Sequence, residues 1–88
     1  MFLHLGQDVI VRKSEILGIF DLDNTSVSKH TRRYLEAMEK RGKVFNVSYE
    51  LPKSFVVVLR GNETVVYISQ ISPSTLAKRN KHKENINF

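Results

Sequence analysis

Between Ser54 and Ser69 lies the segment that leaves this chain the fewest folds. Five apolar residues in succession, Phe55-Val56-Val57-Val58-Leu59, are separated by Gly61-Asn62 from a second run, Glu63 to Ser69, rich in β-branched side chains. Such residues fit a pleated surface, and a two-residue loop with glycine first is a hairpin signal. The first run is apolar at every position rather than every second one, so it is expected to be buried on both faces. A chain of 88 residues builds one domain near the lower size for a self-sufficient core. One helix can cover one face of the strand. We expect a second copy of the chain to cover the other, with internal packing as the competing arrangement.

Nothing else in the composition supplements that core. There is no cysteine, so disulfides are excluded, and no histidine pair has metal spacing. The N-terminal Met1-Phe2-Leu3-His4-Leu5-Gly6 lacks the cationic and long apolar regions of a signal peptide. No run approaches the ~20 apolar residues of a membrane span. A cytoplasmic protein that does not engage membranes is the expectation.

The formal net charge is +5 and unevenly placed. Residues 28–43 carry Lys29, Arg32, Arg33, Lys40, Arg41 and Lys43 against Glu36 and Glu39, and the end of the chain adds Lys78, Arg79, Lys81 and Lys83 against Glu84. Residues 1–27 are net acidic, with Asp8, Glu15, Asp21 and Asp23 against Arg12 and Lys13. Clustered positive charge is the electrostatic footprint of a nucleic-acid binder, although it also serves plain solubility.

Along the chain, Phe2 to Leu5 and Val9 to Val11 read as short strands about the turn Gly6-Gln7-Asp8. Ser14 is placed to cap a single turn through Leu17, after which Gly18-Ile19-Phe20 resumes a strand. Asp21 to Ser28 reads as a loop. Ser28 is the N-cap of the main helix, which runs to about Arg41 and ends at Gly42. Thr31, Tyr34, Leu35 and Met38 form its buried stripe. Lys29, Arg32 and Arg33 crowd its N-terminus, where the macrodipole disfavours positive charge, which suggests a use for that charge. Val44 to Val47 reads as a strand and Tyr49 to Lys53 as a loop. Ser72-Pro73 starts a short helix through Arg79, and disorder is expected from Asn80 onward.

The stretch Ile19-Phe20-Asp21-Leu22-Asp23-Asn24-Thr25 resembles the first motif of haloacid-dehalogenase phosphatases. That chemistry also needs a later lysine and an acidic pair for magnesium. The chain offers only isolated glutamates and is too short for a doubly wound sheet. We therefore read a strand ending in an Asp-rich turn and expect no enzyme, catalytic residue, metal, cofactor or small-molecule substrate. His4, His30 and His82 read as surface residues. Tyr34, Tyr49 and Tyr67 are not spaced as a stacking platform for single strands.

Five segments in order carry a family resemblance. They are Phe2-Leu3-His4-Leu5-Gly6, Ile16-Leu17-Gly18-Ile19-Phe20-Asp21, the helix end Lys40-Arg41-Gly42, Pro52-Lys53-Ser54-Phe55-Val56-Val57, and Ser72-Pro73-Ser74-Thr75-Leu76-Ala77-Lys78-Arg79. Together they resemble the Rem family of small bacterial extracellular-matrix regulators, closest to its RemB branch, over roughly residues 1–79. The resemblance implies a DNA-binding regulator of biofilm-matrix genes in a Gram-positive bacterium, with α/β subunits in ring-like homo-oligomers and DNA contacts outside the ring. It departs at two places. The RemA branch has an arginine pair where this chain has Leu51 and Pro52, and an arginine where it has Glu15. Those arginines are the expected phosphate contacts.

The expectations are thus an α+β domain over residues 1–79, a small sheet of short strands with one main helix packed on it, and a disordered basic tail over 80–88. The domain is expected to assemble into a homo-oligomer and bind double-stranded DNA through Arg12, Lys13, Lys29, Arg32, Arg33 and Lys53. The alternative is an interaction module acting through a protein partner. An RNA-associated protein ranks below both.

Overall fold

The structure, a computed structural model, describes residues 1–22 and 28–86, with residues 81–86 as backbone only. Its elements in chain order are β1 (Phe2–Gly6), β2 (Val9–Arg12), a single 3-10 turn (Lys13–Glu15), β3 (Ile16–Asp21), α1 (Lys29–Lys40), β4 (Val44–Asn46), β5 (Ser54–Arg60), β6 (Glu63–Ser69) and α2 (Pro73–Ile86). Strands β1 and β2 form an antiparallel hairpin, and the other four make a sheet in the order β3-β5-β6-β4. The architecture is α+β, as expected.

The hairpin β5–β6 forms where the sequence places it, with Arg60 opposite Glu63. Gly61 has a φ of +60, the first-position glycine of a primed turn. Strand β3 pairs antiparallel with β5, and β4 pairs parallel with β6. It follows that β3 and β4 run in the same direction on opposite edges of the sheet. The connection between them contains α1, as a parallel crossover requires. The parallel pairing of so short a strand is therefore a consequence of the helix that precedes it.

That crossover also covers one face of β5. Phe55 and Val57 of β5 and Val66 of β6 bury with Met38 of α1, and Leu22, Leu35, Val44 and Ile68 pack around them. On the other face, Val56, Val58 and Val65 bury with Leu3, Leu5 and Val11 of the hairpin and with Leu76 of α2. The chain thus covers both sides of its apolar strand. The expected need for a second subunit there does not hold, because two elements, the N-terminal hairpin and the last helix, reach over the same face. Two buried serines tie these layers together. Ser69 Oγ donates to the Leu5 carbonyl (2.7 Å) and accepts from the Ile71 N–H (3.0 Å), while Ser54 Oγ donates to the Ile71 carbonyl (2.8 Å).

Helix α1 is capped as read. Ser28 Oγ accepts from the Thr31 N–H (3.1 Å). At the other end Gly42 has a φ of +70, its N–H bonds the Glu39 carbonyl and the Lys43 N–H bonds the Met38 carbonyl, both at 2.9 Å, a Schellman closure. The buried stripe is narrower than predicted. Met38 is buried and Leu35 packs beside it, but Tyr34 is 38 % exposed, because the sheet presents only a narrow strip of apolar residues to the helix.

Two local expectations change. The 3-10 turn has Arg12 at its N-cap with no side-chain bond, and Ser14 lies within the turn. The β3–β5 ladder already takes in Ile16, opposite Val58, so the turn cannot extend to Leu17. Helix α2 is capped by Ser72, which accepts from the Thr75 N–H (3.3 Å), and its backbone stays helical to Ile86, past the Asn80 where disorder is expected. No proline or glycine occurs in that stretch to stop it.

Candidate nucleic-acid interface

Of the six cations selected from the sequence, Lys29, Arg32 and Arg33 lie across the four-stranded sheet from Arg12 and Lys13, and Lys53 stands at the start of β5. Lys29, Arg32 and Arg33 lie on α1 and are exposed. Their spacing of three and four places them on one helical surface. No acidic residue stands in the first turn of this helix, so the local field there is set by the cations and the helix N-terminus together. Lys53 is exposed just before β5, and its backbone is held on both sides. Its N–H bonds the Ser69 carbonyl and its own carbonyl accepts from the Leu22 N–H, both at 2.9 Å. Leu22, Leu35 and Phe55 pack in one cluster, which joins α1 to the end of the sheet where β5 begins. The Lys53 backbone is thereby held close to the strand that leads toward α1.

Arg12 and Lys13 belong to the other side, where the hairpin packs. The Arg12 guanidinium lies 5.6 Å from the Phe2 ring centroid, over the outward face of the hairpin. Lys13 is a structural clasp. Its Nζ donates to the Arg79 carbonyl (2.8 Å) and reaches the Asn80 carbonyl (3.5 Å), fastening α2 to the β2–β3 junction. Its ammonium is engaged within the subunit, and Arg12 is separated from α1 by the sheet. One flat contact surface does not include all six.

The loop that would carry the family's arginine pair has a different character. Ser48 Oγ accepts from the Glu50 N–H (3.0 Å), bending the chain so that Tyr49 and Leu51 point outward, at 107 % and 75 % exposure. Pro52 is exposed beside them. An apolar tip stands here in place of a cationic one. In the phosphatase-like stretch, Asp21 closes β3, while Asp23, Asn24 and Thr25 lie outside the described residues.

One cluster escaped the reading of the sequence. Phe45 of β4 stands opposite Tyr67 of β6, their ring centroids 5.7 Å apart and tilted by 33°. Arg60 of β5 donates from Nη2 to the Tyr67 hydroxyl (2.8 Å), its guanidinium 5.8 Å from that ring's centroid. Phe45 and Tyr67 are 22 positions apart in the sequence. Only the parallel pairing of their strands brings them together, and no local motif announces it. Among the described residues no group of three or more His, Cys, Asp or Glu is placed to hold a metal. Among them, too, no helix is long and apolar enough to cross a membrane.

Comparison with known proteins agrees with the resemblance read from the sequence. A family model described as RemA-like, extracellular matrix regulatory protein A-like, matches residues 2–79. Extracellular matrix regulatory protein B of Bacillus subtilis (strain 168) is 35 % identical over 79 residues, which cover 90 % of this chain and 89 % of that protein.

Proposed function

This chain belongs to the RemA-like family of extracellular matrix regulatory proteins, and on that basis we propose that it regulates matrix genes by binding double-stranded DNA through phosphate contacts. The observation that carries the reading is the exposed row Lys29, Arg32 and Arg33 on α1; Lys53 is exposed at the start of β5. Each subunit places a few cations against the phosphate backbone, releasing condensed counterions. A homo-oligomer, a ring in the family's pattern, repeats these weak contacts and multiplies them into avidity. Selectivity on such a surface comes from groove shape and DNA bending more than from base edges.

Fluorescence-anisotropy titration with a mixed-sequence duplex across a salt series tests this. Affinity should fall steeply as salt rises, and Arg32→Ala/Arg33→Ala should weaken binding to every sequence and flatten the salt slope by about 2 per subunit in contact. Unchanged binding in the double variant takes α1 out of the site.

A second reading has its own observation. The outward Leu51 and the exposed Pro52 stand where the family resemblance calls for arginines, with the outward Tyr49 beside them. Aromatic and apolar side chains projecting from an ordered loop suit a protein pocket. On this reading the chain acts through a protein partner without touching DNA. A folded protein that fails to bind duplex at low salt would support it over direct binding.

A further inference from the structure

We propose that Phe45, Tyr67 and Arg60 form a stacking site for a base of single-stranded nucleic acid, on the face of the sheet opposite α1. Tyr67 packs at the margin of the cluster built around Val56, Val58 and Leu76, where the hairpin and α2 cover the sheet. Phe45 lies beyond that cover and is 48 % exposed, so the Phe45–Tyr67 pair presents ring surface to solvent. A nucleobase removes such surface from water by stacking on it, and it does so whatever its identity because every base has a π-face.

The polar groups around the rings fit the rest of a nucleotide. The Tyr67 hydroxyl fixes the Arg60 guanidinium at 2.8 Å, which uses one of its five N–H donors and leaves others to take a phosphate. Lys43, two residues before Phe45, pairs with Glu63 at 3.1 Å, and Glu63 is also the register partner of Arg60. Two cations around one carboxylate leave this corner net positive. That charge favours a polyanion over a two-fold contact with a second copy of the chain, since two copies meeting patch to patch would bring the same cations together. It also separates the site from duplex binding, because a paired base keeps both its faces within the stack. The site lies on the other side of the sheet from the α1 cations and stands independently of them.

The test compares three labelled probes of equal length by fluorescence anisotropy: oligo(dT), an abasic strand with the same phosphates, and a duplex. The wild-type protein should bind oligo(dT) about tenfold or more tightly than the abasic strand, as stacking of one or two bases requires. Phe45→Leu, which keeps an apolar side chain and removes the ring, should abolish most of that preference, as should Phe45→Ala. Both should leave duplex affinity and its salt slope unchanged. Equal affinity of the wild type for oligo(dT) and the abasic strand would overturn the proposal. So would a preference that survives both substitutions, or a change in oligomeric mass on light scattering that shows the patch to be a subunit contact. Loss of duplex binding alone bears on the α1 site and leaves this one standing.

Discussion

Single atoms decide the join between the hairpin and the sheet. Gly6 has a φ of +122, and a Cβ there would lie 2.8 Å from the end of the Gln70 side chain. Gln70 Oε1 is itself buried with no hydrogen-bond partner among the described residues. Gly6→Ala should cost about 1–3 kcal/mol in urea unfolding. Adding Gln70→Ala should recover only part of the loss, since it relieves the contact and not the backbone strain. Ser69→Ala should cost a similar amount, about 1–3 kcal/mol, because it strips the Leu5 carbonyl and the Ile71 N–H of their shared partner inside the core. A fully tolerated Ser69→Ala, measured by the same unfolding curve, would show that water reaches those groups. Gly18 has a related role: a Cβ there would meet the Phe20 ring at 2.6 Å, so the glycine lets that ring lie back and stack on Phe55 at a centroid distance of 4.8 Å.

Among the elements, the two helices differ in what holds them. Helix α1 is capped at both ends and anchored by Met38 and Leu35, leaving its charged surface free of structural duty. Arg32→Ala/Arg33→Ala should therefore leave the far-ultraviolet circular dichroism and the melting midpoint nearly unchanged while weakening DNA binding, which separates a binding role from a structural one. Helix α2 rests on Leu76, which is fully buried, and on the Lys13 clasp. Leu76→Ala should cost about 2–5 kcal/mol and Lys13→Ala less. Hydrogen exchange should show faster opening of α2 in both, with α1 little affected. The cations legible in the sequence are all exposed or part-exposed, but no local pattern tells Lys13 apart from Arg12. Their difference lies in the last helix, 66 positions away.

For the whole molecule, the layered order of hairpin with α2, sheet, and α1 makes the subunit self-contained around its apolar strand. We expect any oligomer to be an association of folded subunits rather than a condition for folding. Dilution by about a hundredfold should shift mass toward smaller species if a ring forms, while the circular dichroism spectrum stays that of the folded chain. Loss of secondary structure in step with dissociation would show instead that the subunit depends on its neighbours. The surface left for association is of another kind: scattered exposed side chains such as Phe2, Ile10 and Leu17, and the outward loop at Tyr49 and Leu51.

Most of what rests on neighbours in the chain is already written in the sequence, the Ser14 turn excepted. The Gly61-Asn62 hairpin, the Ser28 cap, the Gly42 closure and the apolar run of β5 depend on side chains within a few positions of one another, and all are where local chemistry puts them. The family is legible for the same reason, through five short segments in order. Tertiary structure decided what covers β5, which direction β4 runs, which side of the sheet each cation occupies, and that Phe45 meets Tyr67. Those outcomes depend on contacts between distant segments, where burial of apolar surface is non-directional and several partners could satisfy one face. Only the assembled topology, with α1 crossing from one edge strand to the other, selects among them.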